Sequence, residues 1–517
     1  MKKVLIVTGV VVGVLMIAAV GVWIAVDQAL QGDPFTPMYA ENCAVCHGES
    51  FEGATQGPAL VGREFTHGDS VDDIAGSIAR GFPDKGMPGW SGTLDDGQIR
   101  SLAILIAERR VDRLFTDMKM FQPLTIPAGT MATEAASFHL EVITEGLAKK
   151  PFSIAALPDG TLLVTEKLEG LSVVYPDGSR SEHIADTPAT GTSGVELAGL
   201  DYGLGWLLDV APHPRYEDNG WIYLLHTDLC EDCAEKGDDL IPATMTRLIR
   251  GRISEGAWVD QEVIWSAPER FYTSMPDIGA GGRLAFDPAG YVFFSIGIKG
   301  GYFEGIQDLA TPYGKIHRLH DDGRIPEDNP FVGRADAMAS VWTYGHRSPQ
   351  GLEFEPRTGM LWGTEMGPRG GDEVNLLRPG RNYGWPLYSL GVDYDGTPVE
   401  YWKDLGIEYH LEDIEQPVVD LTPSPAVSSF VIYHGQDFPG WEGDLIVGSL
   451  KATELYRFRI EGDRLEHREI LIRNLARIRD VEVARDGRIY LLLEHDSGSQ
   501  IVRLVPDADA DDTVAGV

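Results

Sequence analysis

The sequence predicts a multidomain chain: an N-terminal transmembrane helix, a small all-α domain, and an all-β six-bladed propeller. Three observations carry that prediction. An uncharged apolar run covers residues 4–26. Helical periodicity surrounds a Cys-Ala-Val-Cys-His run at 43–47. Beyond about residue 136 that periodicity gives way to short apolar strands separated by Gly, Pro and Asp turns. A length of 517 residues leaves room for two or three domains.

The first element follows Met1-Lys2-Lys3. A bilayer-spanning helix needs roughly 20 apolar residues, and the run 4–26 meets that length. The basic pair before it favours an inside N-terminus with the remainder outside. A cleaved signal peptide has a shorter core, roughly 7–15 residues, and ends in a small-x-small site. The run instead ends Trp23-Ile24-Ala25-Val26-Asp27, although a long signal peptide remains the other reading. Residues 1–30 are expected to anchor the chain in a bacterial inner membrane as a single pass, with the domains in the periplasm.

Cys43-Ala44-Val45-Cys46-His47 has the spacing of a c-type haem attachment site. Two thiols can form thioethers to the porphyrin edge, and the next residue, His47, then lies under the iron. A bare Cys-x-x-Cys also fits a zinc half-site or a disulfide. The adjoining His, and Met87 in Gly86-Met87-Pro88-Gly89-Trp90, argue for His/Met ligation of a haem iron. Residues 39–42 lead in as a short helix. Residues 94–110 read as a closing helix with Ile99, Leu102, Ala103, Leu105 and Ile106 on its apolar face. Residues 35–112 thus resemble a class I cytochrome c, which implies covalent haem c and one-electron transfer. Met118, Met120 and Met131 fall after the closing helix and read as packing residues.

The formal net charge of −36 should repel phosphate, so no nucleic-acid partner is expected. Solubility is the plain reading of that charge; steering of a basic electron-transfer partner is the sharper one. Cys230 and Cys233 lack a following His, and in an oxidising compartment a local disulfide is expected. No βαβ pattern supports a thioredoxin-like role, and a metal half-site there lacks partners. Residues 113–135, with Pro123, Pro127 and Gly129, read as a linker that leaves the domain placement open. Residues 508–517 read as an acidic, disordered tail.

Between them, over 136–507, one unit recurs: an apolar strand, a turn, another apolar strand. Copies surround Pro158-Asp159-Gly160, Pro288-Ala289-Gly290, Pro356-Arg357-Thr358-Gly359 and Arg485-Asp486-Gly487, with looser ones at 207–225 and 441–458. About six units over roughly 370 residues suit a propeller with four-stranded blades. A site is expected where blade loops converge at the channel mouth.

More specific runs lie within this region. They are Asp308-Leu-Ala-Thr-Pro-Tyr-Gly-Lys-Ile-His-Arg-Leu-His320, Tyr344-Gly-His-Arg-Ser-Pro-Gln-Gly351, Glu365-Met-Gly-Pro-Arg-Gly-Gly-Asp-Glu-Val-Asn375 and Asn382-Tyr-Gly-Trp-Pro386. Together they resemble the soluble glucose/aldose sugar dehydrogenases that use pyrroloquinoline quinone (PQQ). The resemblance implies that Arg347, Lys451, Arg477 and Arg479 bind the three carboxylates of PQQ, a task suited to arginine. Arg477 and Arg479, two apart, face the same side of a strand. It also implies Ca²⁺ held by the backbone carbonyls of Gly367 and Pro368, polarising the quinone, and a second, structural calcium region at Asp372 and Glu373.

Other positions depart from the family pattern. Its general-base His falls at Gly279, and no histidine lies between His226 and His317. Hydroxyl oxidation needs a base, and Asp277 is the weak nearby candidate. His317 and His320 read as structural. Leu204, Ser348, Met366 and Thr422 stand where the family has a Gln, an Asn, a Gln or His, and a stacking aromatic. Two functions are therefore expected. The first is a membrane-anchored periplasmic quinohaemoprotein oxidoreductase. It would oxidise an aldose-like or other hydroxyl or aldehyde substrate and relay electrons through haem c to a periplasmic or membrane acceptor. The alternative is a haem c electron carrier whose propeller is a non-catalytic ligand-binding or docking surface.

Overall fold

Asp95 caps the helix Asp96–Arg110. Its carboxylate accepts from Gln98 N at 2.8 Å, while Gln98 Oε1 accepts from Asp95 N at 3.0 Å. Arg109 and Arg110 occupy the last turn, where cations complement the terminal carbonyls. The computed structural model that contains this helix describes residues 35–114, 119–120, 122–191, 196–197, 200–201, 203–236, 239–299 and 303–507. The expected membrane span at 4–26, Met118 and the tail at 508–517 lie outside the described residues. Among those described, no helix is long and apolar enough to cross a membrane.

The expected apolar face is buried: Ile99, Leu102, Ala103, Leu105 and Ile106 share a core with Phe35, Tyr39, Phe51, Ile74 and Ile78. A second helix, Val71–Arg80, is capped by Ser70, whose Oγ accepts from Asp73 N at 3.1 Å. The short helices Phe35–Asn42 and Ala44–His47 carry the cysteine motif into this core.

Six antiparallel sheets make up the propeller. Their innermost strands are Pro151–Ala156, Leu207–Pro212, Gly281–Phe286, Pro349–Glu355, Val427–Ile432 and Arg477–Val483. Each touches the next, and the last touches the first. The final blade is closed by the strand Ser137–Leu147, which pairs with Ser499–Pro506 and so ties the two ends of the domain together. Closure of this kind removes exposed sheet edges. The glycines of the recurring turn, Gly160, Gly290, Gly359 and Gly487, all have φ between 68° and 90°, a conformation that disfavours side chains.

Strand register places the site. The start of a blade's first strand opposes the end of its second: Pro151 faces Glu166, Pro349 faces Glu365, Val427 faces Ser449, and Arg477 faces Glu494. Loops entering a blade and turns after its second strand therefore open on one common mouth. Below that mouth the inner strands bury charges. Arg283 Nη1 lies 2.9 Å from Asp480 and 3.6 Å from Asp209. Burial, with Asp209 nearby, pushes Glu353 up to about 8. Burial likewise raises Asp209 to about 6, against the opposing pull of Arg283.

Described residues of the linker 113–135 contact the propeller. Arg113 is buried in an ion pair with Glu454 and donates to Tyr456 Oη at 2.8 Å. Met120 is buried as packing, and Met131–Ala132 adds an edge strand to the last blade. One face of the helix Asp96–Arg110, formed by Gly97, Ser101, Ile104 and Glu108, lies against the propeller. A Cβ at Gly97 would stand 2.5 Å from Pro398 Cγ, so the close approach requires glycine. Arg100 Nε donates to Leu390 O at 2.9 Å, Ser101 donates to Gly396 O, and Val392 joins the helical core. Cys230 and Cys233 are joined in a disulfide within the strand Ile222–Lys236.

Candidate functional site

Within the haem motif the structure fixes the orientation of the histidine ring. His47 Nδ1 lies 2.8 Å from the Pro58 carbonyl oxygen. A carbonyl only accepts, so Nδ1 carries the proton and Nε2 keeps its lone pair for a metal. This is the outer contact that haem and metal histidines use to fix their tautomer. Cys43 and Cys46 are free thiols, half-buried beside that helix. Met87 sits in a turn whose backbone is pinned by Met87 N donating to Phe82 O at 3.1 Å and Phe82 N donating to Met87 O at 2.8 Å. These donors fit a covalently attached haem c.

Strand register brings Arg347, Gly367, Lys451, Arg477 and Arg479 to the propeller mouth. Arg347 enters the fourth blade. Its backbone N donates to Glu365, which also holds His346 Nδ1 at 2.9 Å, so one carboxylate orients the whole His346-Arg347 turn. Nη1 of Arg347 donates to Gly367 O at 2.9 Å, and Nη2 to Tyr394 Oη at 2.7 Å. Its Nε is buried with no hydrogen-bond acceptor among the described residues. The guanidinium lies 5.2 Å from the Trp385 ring centroid. A guanidinium beside an aromatic face suits a planar, carboxylated ligand such as PQQ.

Arg477 and Arg479 both turn towards Glu494, Nε of each lying 2.8 and 2.7 Å from its two oxygens. Burial alone would raise Glu494. Arg479 and Arg477 outweigh it and hold the carboxyl well below the usual range. The same burial lowers Arg479 from its ordinary value.

Lys451 follows the strand Leu445–Ser449 and is 7 % exposed. Its amine lies 3.9 Å from Glu108, a carboxylate supplied by the haem domain's closing helix. Glu108 is fully buried and pairs with Arg369 at 2.7 Å, while Arg369 stacks 3.7 Å from the Phe35 ring. Burial lowers the Lys451 amine, and Glu108 and Asp372 counter that. The haem domain is thus docked on the turn that follows Glu365, next to a predicted cofactor cation. Sequence reasoning missed Glu108 and Arg369.

Gly367 and Pro368 lie in that turn. Asp372 orients it by accepting from Gly367 N at 3.0 Å and Val427 N at 2.7 Å. Glu373 is raised well above its ordinary value by burial first and then by Glu365. Loop carbonyls and carboxylates are donors that calcium accepts, but Gly367 O here accepts from the Arg347 guanidinium, so this carbonyl fits calcium only once Arg347 turns from it towards a ligand.

Asp277, the weak candidate base, is fully buried. It accepts from Gly205 N at 3.0 Å, Thr227 Oγ1 at 2.8 Å and Thr244 Oγ1 at 2.6 Å, with Lys299 Nζ 3.3 Å away. Its oxygens are committed to holding the loop, which disfavours a role as proton acceptor. Gly279 has φ +77°, and a Cβ there would meet Ile298 at 3.0 Å, so the backbone itself has left the conformation that a side chain prefers. Leu204 is buried, and Thr422 Oγ1 is committed to Gly371 N at 2.8 Å. His317 is buried with Nδ1 2.9 Å from Ser340 Oγ, a structural placement.

Comparison with known proteins covers both parts of the chain. The Glucose / Sorbosone dehydrogenase family model matches residues 148–503. The model for cbb3-type cytochrome c oxidase subunit III matches residues 33–106. Aldose sugar dehydrogenase YliI of Escherichia coli (strain K12) is 33% identical over 390 residues, spanning 74% of this chain and 97% of that protein. Quinoprotein glucose dehydrogenase B of Acinetobacter calcoaceticus is 26% identical over 448 residues, spanning 73% of this chain and 89% of its own length. The crystal structure of the soluble aldose sugar dehydrogenase from Escherichia coli in the apo-form superposes with a TM-score of 0.59 at 30% identity, covering 72% of this chain and 100% of that one.

Proposed function

Because the chain belongs to the glucose/sorbosone dehydrogenase family and carries a cytochrome c domain ahead of its propeller, we propose that it is a quinohaemoprotein dehydrogenase. It oxidises an aldose-like or other hydroxyl or aldehyde substrate at the propeller mouth and delivers electrons through haem c to a periplasmic or membrane acceptor. When bound, PQQ supplies a two-electron acceptor, calcium a Lewis acid, and haem c a one-electron outlet. Arg347, Lys451, Arg477 and Arg479 bind the cofactor's carboxylates, and the carbonyls of Gly367 and Pro368 hold calcium. Glu365 fixes the direction of Arg347 through its backbone and through His346. Residues 4–26 anchor the chain in a bacterial inner membrane, which leaves both domains in the periplasm, where c-type haem is attached.

The observation that carries the reading is the convergence of Arg347, set against the Trp385 ring, with Lys451, Arg477 and Arg479 at one mouth. Docking of the haem domain against the turn at 366–371 supports the relay. Glu108, Arg369 and Lys451 are all at most 7 % exposed, so bulk water is kept from that side of the mouth. A second reading, a haem c carrier with a non-catalytic propeller, draws on Gly279 and on the saturation of Asp277.

Oxidation of an aldose and alcohol panel, followed with an artificial acceptor dye, separates the two. The proposal expects turnover that requires both PQQ and calcium and is lost in Arg347→Ala. PQQ that binds while no substrate is oxidised would transfer support to the carrier reading.

A further inference from the structure

The strand Arg464–Ile472 is the outermost of the fifth blade. His467 and Glu469 stand two apart on it, so both project from one face. A third residue reaches that face from far along the chain. The turn 133–136 ends the linker and leads directly into the closing strand Ser137–Leu147. Thr133 Oγ1 pins it, donating to Ala136 O at 2.8 Å and accepting from Ala136 N at 3.1 Å. Glu134 N donates to Glu469 Oε1 at 2.7 Å. Gly440 lies close under the turn, where an added Cβ would stand 3.0 Å from Ala135 Cβ. One ligand atom from each of Glu134, His467 and Glu469 thereby comes within 4.8 Å of the other two.

These atoms do not satisfy one another. His467 Nε2 and Glu469 Oε2 are buried and make no hydrogen bond among the described residues. The first lies 2.8 Å from Glu134 Oε2 and the second 2.8 Å from Arg457 Nη2, but neither pair is aligned for a hydrogen bond. The Glu469 side chain is only 9 % exposed. Arg457 is shared further, with Asp444 at 3.5 Å and Glu134 at 3.9 Å. Buried lone pairs gathered without aligned donors are costly, and a cation among them removes that cost.

The donor set selects the cation. One imidazole nitrogen and two carboxylate oxygens suit zinc, with a water in the fourth position. Ligand atoms about 2.0–2.2 Å from a tetrahedral zinc stand about 3.3–3.6 Å apart. That spacing falls between the 2.8 Å of His467 and Glu134 and the 4.8 Å limit of the cluster. Arg457, which also donates to Gly440 O at 3.3 Å, takes the outer place and steadies Glu469 as a ligating carboxylate requires. We propose that Glu134, His467 and Glu469 form a zinc site that fastens the end of the linker to the fifth blade. The ion fixes the point at which the segment from the haem domain joins the propeller. The site shares no residue with the mouth and does not rest on the dehydrogenase reading.

The test uses the full-length, haem-loaded protein, equilibrated with zinc, desalted, and assayed for zinc by mass spectrometry. We expect one retained zinc per native chain. X-ray absorption at the zinc edge should show an imidazole and oxygen donors and no sulfur. Glu134→Gln and His467→Gln should each weaken zinc binding about a hundredfold or more. Zinc should slow protease cleavage within residues 113–135 in the native chain and in neither variant. A native chain that retains no zinc, a zinc spectrum with sulfur or without imidazole, or zinc retained undiminished by both variants overturns the proposal. The spectrum is read on the native chain, so it decides the matter whether or not the variants fold.

Discussion

Glu108→Gln tests the coupling of the two domains. Glu108 is fully buried, 2.7 Å from Arg369 and 3.9 Å from Lys451. At an effective dielectric of about 20, unit charges at 2.7 and 3.9 Å attract by about 6 and about 4 kcal/mol. Desolvation of the three groups offsets most of this. Removing one partner of a buried pair typically costs about 3–5 kcal/mol, because the other charge is left uncompensated. The amide keeps the shape of Glu108 and withdraws its negative charge from Arg369 and from Lys451, which retains Asp372 nearby. Undocking is read by protease cleavage within residues 113–135 and by whether the haem Soret band and the far-ultraviolet circular dichroism melt together. The variant should cut faster and melt in two separated steps. A double variant, Glu108→Gln with Arg369→Gln, should recover part of the loss, since both charges are then gone. A single variant that loses less than about 1 kcal/mol and is cleaved no faster would refute the idea that this pair holds the haem domain on the propeller.

Three further outcomes are expected. Glu353 has a folded pKa of about 8 against an ordinary 4.5, so its protonated form favours the fold. That stability is present below 4.5 and lost as pH rises through 8, and the melting temperature should fall over that interval more steeply than in Glu353→Gln. Arg477→Ala with Arg479→Ala should abolish PQQ binding in calorimetry while the haem spectrum stays native; unchanged affinity would sink the cradle assignment. Gly279→His should destabilise the fold by about 1–3 kcal/mol in denaturant titration, because its φ of +77° and the 3.0 Å contact with Ile298 both oppose a side chain. A stable variant with enhanced sugar oxidation would show that the loop still accepts the family's base.

Much of this organisation is legible in the chain because it is local. The thiols, His47 and Met87 lie within one short domain, and periodicity alone exposes the apolar face from Ile99 to Ile106. The propeller repeats its own turn chemistry, so blades can be counted from glycines. The four cations that the family resemblance assigns to the cofactor, Arg347, Lys451, Arg477 and Arg479, stand in short motifs of the sequence. What escaped sequence reasoning depends on contacts between distant segments: Glu108 meets Arg369 across 261 residues. Even so, Gly97, Ser101, Ile104 and Glu108 form a second stripe at helical spacing, and a helix buried on two faces must have two partners. Asp277 looked available in sequence because nothing local reveals that Thr227, Thr244 and Gly205 converge on it.

The central claim is that electrons released in the propeller reach the haem of the same chain. It is tested most directly by haem absorbance of the oxidised protein, holding PQQ and calcium at a protein concentration low enough to suppress encounters between molecules. Addition of an oxidisable aldose should reduce the haem at a rate independent of protein concentration, and omission of PQQ or calcium should leave it oxidised. Substrate oxidation that proceeds with a dye while the haem stays oxidised would contradict the account.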